Sequence, residues 1–285
     1  MKILILGSEG QLGYEFKNYL EKIENVYSFS HKEVDILDIK KLDNILKEIR
    51  PDIVINCVAY TKVDKCEDET DLAFLINSIG AKNISYLSYK YNSKIVYFST
   101  DYIFDGEKKS PYNEFDKPNP LSIYGRSKLF GEKYTKEFNP NHLIIRISWL
   151  YGIKGDNFVK TIIKLSKINN ILRIVNDQMG SPTYTLDVVK QTYELIKRDY
   201  IGLIHSANIG ETSWFNFANL INKKLKLNIK IIPIKTEEYN AKAKRPKYSV
   251  LENYILKIEN LNIMRNWEVA FNEFIENYKG DLLNE

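Results

Sequence analysis

The sequence predicts an α/β fold: a doubly wound parallel sheet followed by a smaller, interleaved C-terminal α/β domain. Strand-like and helix-like segments alternate through the first half of the chain, as in parallel sheets whose strands are joined by right-handed helical crossovers. The segment 52–57 is apolar almost throughout, which is typical of a strand buried on both faces. Three glycines at intervals of three residues, Gly7, Gly10 and Gly13, separate the first strand from the first helix.

Hydrophobic periodicity gives the order of elements in the first half. The apolar run 2–6 has the length of a strand, and a helical pattern follows it over about 11–23. A helix over 41–49 is expected to end before Arg50-Pro51, because the residue before a proline disfavours helical backbone. The other expected strands are 26–30, 52–57, 95–99 and 142–148, and the other expected helices are 72–91 and 124–138.

After about residue 151 the pattern becomes mixed. The expected helices there are 158–167, 185–197, 214–224 and 267–278, and the expected strands are 172–175, 203–207 and 230–234. The strand at 203–207 is expected to return to the first sheet. Since no repeat or low-complexity linker separates the two parts, the sequence predicts interleaved domains rather than consecutive ones.

Composition excludes several classes of function. With 44% apolar and 27% charged residues, the chain has the composition of an ordinary soluble globular protein. Its net charge of +4 comes from 41 basic and 37 acidic residues that are interleaved, so we expect no nucleic-acid groove. No apolar run approaches the ~20 residues of a membrane span. The first strand leaves no room for a signal peptide, and Cys57 and Cys66 are expected to be reduced, which predicts a cytoplasmic protein.

The glycine segment predicts a dinucleotide-binding turn of the Rossmann type. Gly7, Gly10 and Gly13 follow a strand and precede a helix, where they allow a tight turn and a close backbone approach to a pyrophosphate. The helix that begins near Gln11 and Leu12 directs its positive N-terminal end toward the phosphates. A glycine-rich connection without a ligand is the alternative interpretation.

A second pattern predicts proton-transfer chemistry. Tyr124 and Lys128 are four residues apart on one helix face, and a neighbouring ammonium is expected to lower the pKa of the phenol. Thr100 ends the strand at 95–99 and delivers a hydroxyl to the sheet's carboxyl edge. Taken alone, the pair could be a solvated helix face and Thr100 could cap a turn. Together with the glycine turn, they favour a catalytic site.

These motifs resemble those of the extended short-chain dehydrogenases/reductases. Longer strings are similar to the dTDP-4-dehydrorhamnose reductase family, and the likeness covers nearly the whole chain. The strings are 54–65, 99–106, 119–125, 148–152, 157–161, 177–183 and 245–251. The resemblance implies an NAD(P)-binding domain over 1–151 and about 183–207, and a substrate-binding domain over about 152–182 and 208–285.

The resemblance also implies a reaction, the reduction of the 4-keto group of dTDP-4-dehydro-L-rhamnose for the synthesis of cell-surface polysaccharide. Tyr124 would give the proton, Lys128 would tune it, and Thr100 would hydrogen-bond the same oxygen. The residues expected to bind the dTDP-sugar are Thr100, Asp101, Tyr102, Trp149 and Arg245. Because related dehydratases carry an acid at the position of Tyr102, dehydration is not expected.

The resemblance implies a cofactor site whose residues lie in several separate segments. Its expected residues are Gly7, Gly10, Gln11, Leu12, Gly13, Ser30, Asp35, Ile36, Ala59, Tyr60, Thr61, Tyr124 and Lys128. The second strand ends in Ser30-His31-Lys32 without the acid that favours NAD, so NADPH is the expected cofactor. NADH stays open, because Glu33 and Asp35 follow closely.

Partners and alternatives stay open at this stage. Some relatives bind magnesium at a dimer contact, but no matching acidic ligands are identifiable here, so no metal residue is predicted. Magnesium and a homodimer are both left open. One alternative is a reductase of another nucleotide-linked keto sugar. The other is a non-catalytic, NADP-binding regulatory subunit that uses the cleft for a partner.

Overall fold

A six-stranded parallel sheet is the centre of the protein, seen in a computed structural model that describes residues 1–284. Its strands, numbered by position in the chain, are β1 (Lys2–Leu6), β2 (Asn25–Phe29), β3 (Ile53–Asn56), β4 (Lys94–Thr100), β5 (His142–Ile147) and β10 (Gly202–His205). They lie in the order β10-β5-β4-β3-β1-β2. The order reverses between β1 and β3, and the carboxyl ends beside such a reversal are where open α/β sheets bind ligands.

Helices cover both faces of this sheet. They are α1 (Gln11–Leu20), α2 (Ile39–Ile49), α3 (Val63–Asp68), α4 (Thr70–Phe74), α5 (Ala81–Lys90), α6 (Ile123–Phe138) and α8 (Thr185–Lys197). Alternate residues of β1 point to opposite faces. Ile3 and Ile5 pack in the core shared with α1 and α8, whereas Leu4 and Leu6 pack in the core shared with α2 and α5.

A second group of elements forms its own core. The elements outside the central sheet and its helices are β6 (Leu150–Tyr151), α7 (Phe158–Ser166), β7 (Ile171–Val175), β8 (Met179–Gly180), β9 (Thr183–Tyr184), β11 (Thr212–Ser213), α9 (Trp214–Leu225), β12 (Lys230–Ile234), α10 (Thr236–Tyr239), α11 (Tyr254–Ile258) and α12 (Trp267–Asn284). The strands β7 and β12 pair in parallel. Of these elements, α11 packs on the central sheet instead, through Leu256. Aromatic rings fill the second core, among them Tyr151, Phe217, Phe271 and Phe274.

The predicted fold class is confirmed, with local differences. The helix expected over 72–91 is divided, because a π-helical turn, Leu75–Gly80, lies between α4 and α5. Gly80 packs so closely on Ile36 that an added Cβ would lie 2.2 Å from its Cδ1. The helix α12 extends beyond the expected end at residue 278. The helix α3 and the two-residue strands were not expected, since they are too short to show periodicity. The domain boundaries stay a prediction.

Candidate functional site

A cavity of about 720 Å³ opens at the carboxyl ends of the central strands. Residues of the sheet edge and of the C-terminal elements line it. Parallel strands bring their carboxyl ends to one edge of the sheet, where ligands bind in such folds. The predicted site residues in its lining are Gly10, Gln11, Leu12, Ala59, Thr61, Thr100, Asp101, Tyr102, Tyr124, Lys128, Trp149 and Arg245. The predicted residues Gly7, Gly13, Ser30, Asp35, Ile36 and Tyr60 lie outside the lining.

The glycine turn has the shape that a dinucleotide requires. Gly7 has a φ of +84°, which favours glycine, and a Cβ on Gly13 would lie 2.1 Å from the carbonyl oxygen of Gly7. The helix α1 therefore crosses close to β1. Gly10 is its N-cap and gives no side-chain cap, and the first turn carries no acidic residue. The first-turn amides near Gln11 are thus left for an anion, so this turn fits a diphosphate.

An acidic side chain lies at the end of β2, where the sequence was expected to lack the acid that favours NAD. The backbone N–H and the hydroxyl of Ser30 both donate to Oε2 of Glu33, at 2.8 and 2.7 Å. These hydrogen bonds lower the pKa of Glu33, so a carboxylate lies at the strand end after all. Asp35 accepts from the N–H of Leu37, and Ile36 is buried in the core.

A buried asparagine that sequence reasoning missed joins the cleft to α6. Asn77, in the π-helical turn, accepts from the N–H of Tyr60 at 2.8 Å and donates to its carbonyl oxygen at 3.1 Å. Its amide also donates to the hydroxyl of Ser127 at 2.9 Å. The hydroxyl of Tyr60 donates to Glu69, outside the cavity lining. Only the π-helical geometry, which sequence periodicity does not reveal, identifies Asn77.

The three predicted catalytic residues meet in the cavity. Thr100 ends β4, whereas Tyr124 and Lys128 follow the N-cap Ser122 of α6. The ammonium of Lys128 lies 4.2 Å from the ring centroid of Tyr97, and no hydrogen-bond acceptor pairs with it within residues 1–284. The hydroxyl of Ser99, also in the lining, is buried without a partner in this described part. These unsatisfied polar groups fit a bound cofactor.

The pKa of Tyr124 is raised, whereas Lys128 was expected to lower it. Burial raises the pKa of Tyr124, and the nearby hydroxyl of Thr100 acts in the opposite direction. The expectation that Lys128 lowers this pKa is wrong for this structure, because the ammonium lies over Tyr97. Burial also lowers the pKa of Lys128 to about 7, against an opposing effect of Glu132. A raised pKa keeps Tyr124 protonated, as a proton donor must be.

Arg245 reaches the cavity but is already paired. Its guanidinium donates two hydrogen bonds to Asp64 of α3, at 3.1 and 2.7 Å, and a third to the carbonyl oxygen of Ala243. The side chain of Arg245 is 15% exposed. Tyr102 lies nearby, and burial raises the pKa of its phenol to about 12 although Arg245 opposes the rise. This corner of the cavity therefore presents a fixed guanidinium.

A stacked pair of indoles forms part of the cavity wall. Trp149 has a φ of +43° and stacks on Trp214 with ring centroids 3.4 Å apart and planes within 4°. Phe158 packs on Trp214 in turn, and a Cβ on Gly180 would lie 2.2 Å from the Trp149 ring. One face of Trp149 is therefore occupied. The sequence placed Trp214 only at the start of a helix, and nothing in its spacing linked it to Trp149.

In residues 1–284, no group of three or more His, Cys, Asp or Glu side chains could hold a metal ion. None of the helices in that same range combines the length and apolar character needed to cross a membrane.

The fold and the site together define an extended short-chain dehydrogenase/reductase. The defining features are the glycine turn, Thr100 at the end of β4, and Tyr124 and Lys128 on α6. A family model described as the RmlD substrate binding domain matches residues 1–279. The chain belongs to this family, that of the dTDP-4-dehydrorhamnose reductases.

Three relatives illustrate the likeness. The spore coat polysaccharide biosynthesis protein SpsK of Bacillus subtilis is 38% identical over 276 residues, which are 96% of this chain and 97% of that protein. A crystal structure of a dTDP-4-dehydrorhamnose reductase from Clostridium acetobutylicum is 43% identical with a TM-score of 0.95, covering 98% of this chain and 100% of that one. The dTDP-4-dehydrorhamnose reductase of Bacillus anthracis in complex with NADP is 41% identical with a TM-score of 0.94, covering 97% and 99%.

Proposed function

We propose that the protein reduces the 4-keto group of dTDP-4-dehydro-L-rhamnose to the alcohol of dTDP-L-rhamnose, using NADPH. The observation that carries this proposal is the meeting of Thr100, Tyr124 and Lys128 in one cavity beside a dinucleotide-binding turn. Family membership supports the same reaction. An NAD(P)H-dependent oxidoreductase of this kind supplies a deoxysugar for polysaccharide synthesis, and we place it in the cytoplasm.

The protein's own groups bind the reactants and deliver the proton. When bound, the nicotinamide supplies the hydride. Tyr124 donates its phenolic proton to the carbonyl oxygen of the sugar, and burial keeps that proton in place until then. Thr100 lies beside the same oxygen and fixes its position. Lys128, whose ammonium has no acceptor in residues 1–284, would hold the ribose hydroxyls of the cofactor.

Residues from different parts of the chain are assigned to the cofactor and to the substrate. We assign the diphosphate of the cofactor to the first turn of α1, with Gly7 and Gly13 allowing the close approach. Ala59 and Thr61 would form the far wall, and Tyr60, whose backbone is held by Asn77, would support them from outside the lining. Ser30, Asp35 and Ile36 would hold the adenosine end of the cofactor. Segments 1–151 and about 183–207 form the cofactor-binding domain in this proposal, and about 152–182 with 208–285 form the substrate-binding domain.

The substrate-binding residues are assigned by their chemistry. Arg245 suits a diphosphate, because a guanidinium makes two parallel hydrogen bonds to such oxygens. Tyr102 and Trp149 lie along the cavity where the sugar must lie for its carbonyl to reach Tyr124. The proposed steps are hydride and proton transfer, and whether magnesium is also bound is left to measurement. A homodimer is likewise left to measurement.

The direct test is a reduction assay with identified products. Purified protein is mixed with NADPH and, in turn, the dTDP, UDP and GDP forms of a 4-keto-6-deoxy sugar, and loss of NADPH absorbance is followed. We expect turnover with the dTDP sugar and an alcohol at C4 by nuclear magnetic resonance. Turnover of only a UDP or GDP sugar would identify a reductase with another substrate. Binding of NADPH without turnover of any sugar would instead favour the regulatory subunit.

A further inference from the structure

The ring of Tyr97 lies in the core behind Lys128, outside the cavity lining. Alternate residues of a strand point to opposite faces. In β4, Val96 and Phe98 therefore pack toward α1 and α8, whereas Tyr97 packs toward α5 and α6. Tyr97 is 1% exposed. A side chain so enclosed contacts protein groups and neither of the two reactants.

The phenol of Tyr97 fixes the ring against α6. Its hydroxyl lies 3.2 Å from the carbonyl oxygens of both Asn77 and Lys128, and its single proton is shared between them. A Cβ on Gly131 would lie 2.1 Å from the same hydroxyl oxygen, so only glycine lets α6 pass this close to β4. The hydroxyl therefore holds the ring beside the helical turn that carries Lys128.

No carboxylate in the described part of the chain pairs with the ammonium of Lys128. Glu132 lies four residues further along α6, on the same helix face. It forms a two-point ion pair with Arg146 instead, with both N–O distances 2.9 Å. Both members of that pair are almost completely buried. The carboxylate whose charge acts on Lys128 is therefore already occupied by a guanidinium.

An aromatic ring attracts a cation without accepting a directed hydrogen bond from it. The negative face of the ring acts on an ammonium within about 6 Å of its centroid, more strongly where water is excluded. The Nζ of Lys128 lies 4.2 Å from the Tyr97 centroid, and Lys128 is 3% exposed. An ammonium carries three N–H donors. Those on the cavity side thus stay available for hydroxyl groups.

We propose that Tyr97 is a positioning residue for Lys128, whose ammonium its ring holds at the cavity, charged and available for the ribose hydroxyls of the cofactor. The proposal rests on the proposed function, because it takes Lys128 as the group that binds the ribose. The effect on the ammonium is assigned to the ring and not to the hydroxyl. A carboxylate in the same place would compete with the ribose for the N–H donors.

The titration of Lys128 carries the signature of this contact. Burial lowers the pKa of Lys128 to about 7, and Glu132 and Cys57 act in the opposite direction. The other titratable groups that face this part of α6 are the phenols of Tyr97 and Tyr124. Burial raises the pKa of both phenols and of the Cys57 thiol, so they stay neutral near pH 7. Because the ring favours the charged amine, its removal should lower the pKa of Lys128 further.

The experiment measures this titration in the full-length protein without cofactor. Trace acetic anhydride acetylates only the neutral amine, and mass spectrometry of the peptide that contains Lys128 gives the labelling rate from pH 5 to 10. The midpoint should fall by about one pH unit in Tyr97→Leu, the size of a desolvated cation–π contact. Tyr97→Phe keeps the ring and should keep the midpoint. At pH 7.5, Tyr97→Leu should also bind NADPH several-fold more weakly, and Tyr97→Phe should not.

Phe271→Leu is the matched control, because it removes a buried ring from the C-terminal core, and its Lys128 midpoint should equal that of the wild type. A midpoint that stays or rises in Tyr97→Leu would overturn the proposal. So would an equal fall in Tyr97→Phe, or a fall in Tyr97→Leu without weaker NADPH binding. If Tyr97→Leu does not fold, Tyr97→Met replaces it with the same expected result, since Met fills irregular core space.

Failure of the proposed function is distinguishable from failure of this contact. The labelling needs neither cofactor nor sugar, so it tests the effect of the Tyr97 ring on Lys128 whatever the reduction assay shows. Wild-type protein that reduces no keto sugar, with the midpoint shift present in Tyr97→Leu, would count against the proposed function alone.

Discussion

The guanidinium of Arg245 and the carboxylate of Asp64 form a two-point ion pair at the edge of the cavity, with N–O distances of 3.1 and 2.7 Å. The pairing holds the pKa of Asp64 below its usual range, despite an opposing effect of burial. A carboxylate and a diphosphate present similar oxygens to a guanidinium. Asp64 therefore occupies the geometry that a substrate's diphosphate would use.

The first prediction concerns Arg245. Arg245→Ala should raise KM for the dTDP sugar about ten- to a hundredfold, since a charge-assisted hydrogen bond contributes roughly 1.5–3 kcal/mol. NADPH affinity should not change, because the guanidinium lies at the substrate corner. Steady-state kinetics and a fluorescence titration of NADPH measure both effects.

Asp64→Asn serves as the matched variant. It removes the competing charge while keeping the side chain's shape, so KM for the dTDP sugar should fall. A rise in KM would mean that Asp64 is needed to orient Arg245 and does not compete with the substrate.

A second prediction concerns the choice of cofactor. NADPH should be used at least as well as NADH, because Lys32 and His31 lie at the end of β2. Glu33 opposes that preference, since its carboxylate is held by Ser30. Glu33→Gln should therefore shift the ratio of kcat/KM values further toward NADPH. A shift toward NADH in this variant would show that Glu33 does not repel the 2′-phosphate.

The third prediction follows from the lowered pKa of Lys128, about 7. Below this pH Lys128 is a cation and attracts the cofactor; above it the charge is progressively lost. The Kd of the protein for NADPH should therefore rise between pH 6 and 9. The same trend is expected with NADH, which lacks the titrating 2′-phosphate. Lys128→Met should bind weakly at every pH, and a Kd of the wild type that is independent of pH would refute this role of its charge.

The fourth prediction tests the indole wall. Trp214→Ala removes the ring that covers one face of Trp149, so Trp149 should lose its fixed position and KM for the dTDP sugar should rise several-fold. Trp214→Phe keeps an aromatic surface and should restore most of the affinity. Near-ultraviolet circular dichroism reports the loss of the stacked pair. An unchanged KM in Trp214→Ala would remove the wall from substrate binding.

Much of the fold could be predicted because its signals are local. Apolar strands such as 52–57, and the glycine turn, can be recognised from the pattern of a few consecutive residues. The pair of Tyr124 and Lys128 was also visible, since helical spacing places both on one face. The fold class was confirmed on this basis.

The rest of the site depends on contacts between distant segments, which local patterns do not contain. Asn77 is recognisable only inside a π-helical turn. Ser249 meets Asp101 across 148 positions of sequence, and Trp214 meets Trp149 only through packing of the C-terminal elements. The expected effect of Lys128 on Tyr124 was wrong for the same reason, because spacing on a helix does not say that an ammonium lies over Tyr97.

The central claim is that Tyr124 gives the proton in the reduction of a dTDP-4-keto sugar. The most direct measurement is the kcat of Tyr124→Phe for NADPH oxidation with this substrate, beside the affinity of the same variant for NADPH. Since general acid catalysis contributes about 10²- to 10⁴-fold, we expect kcat to fall by about 10²-fold or more while the affinity is kept. A Tyr124→Phe protein that retained most of the wild-type kcat would contradict the account.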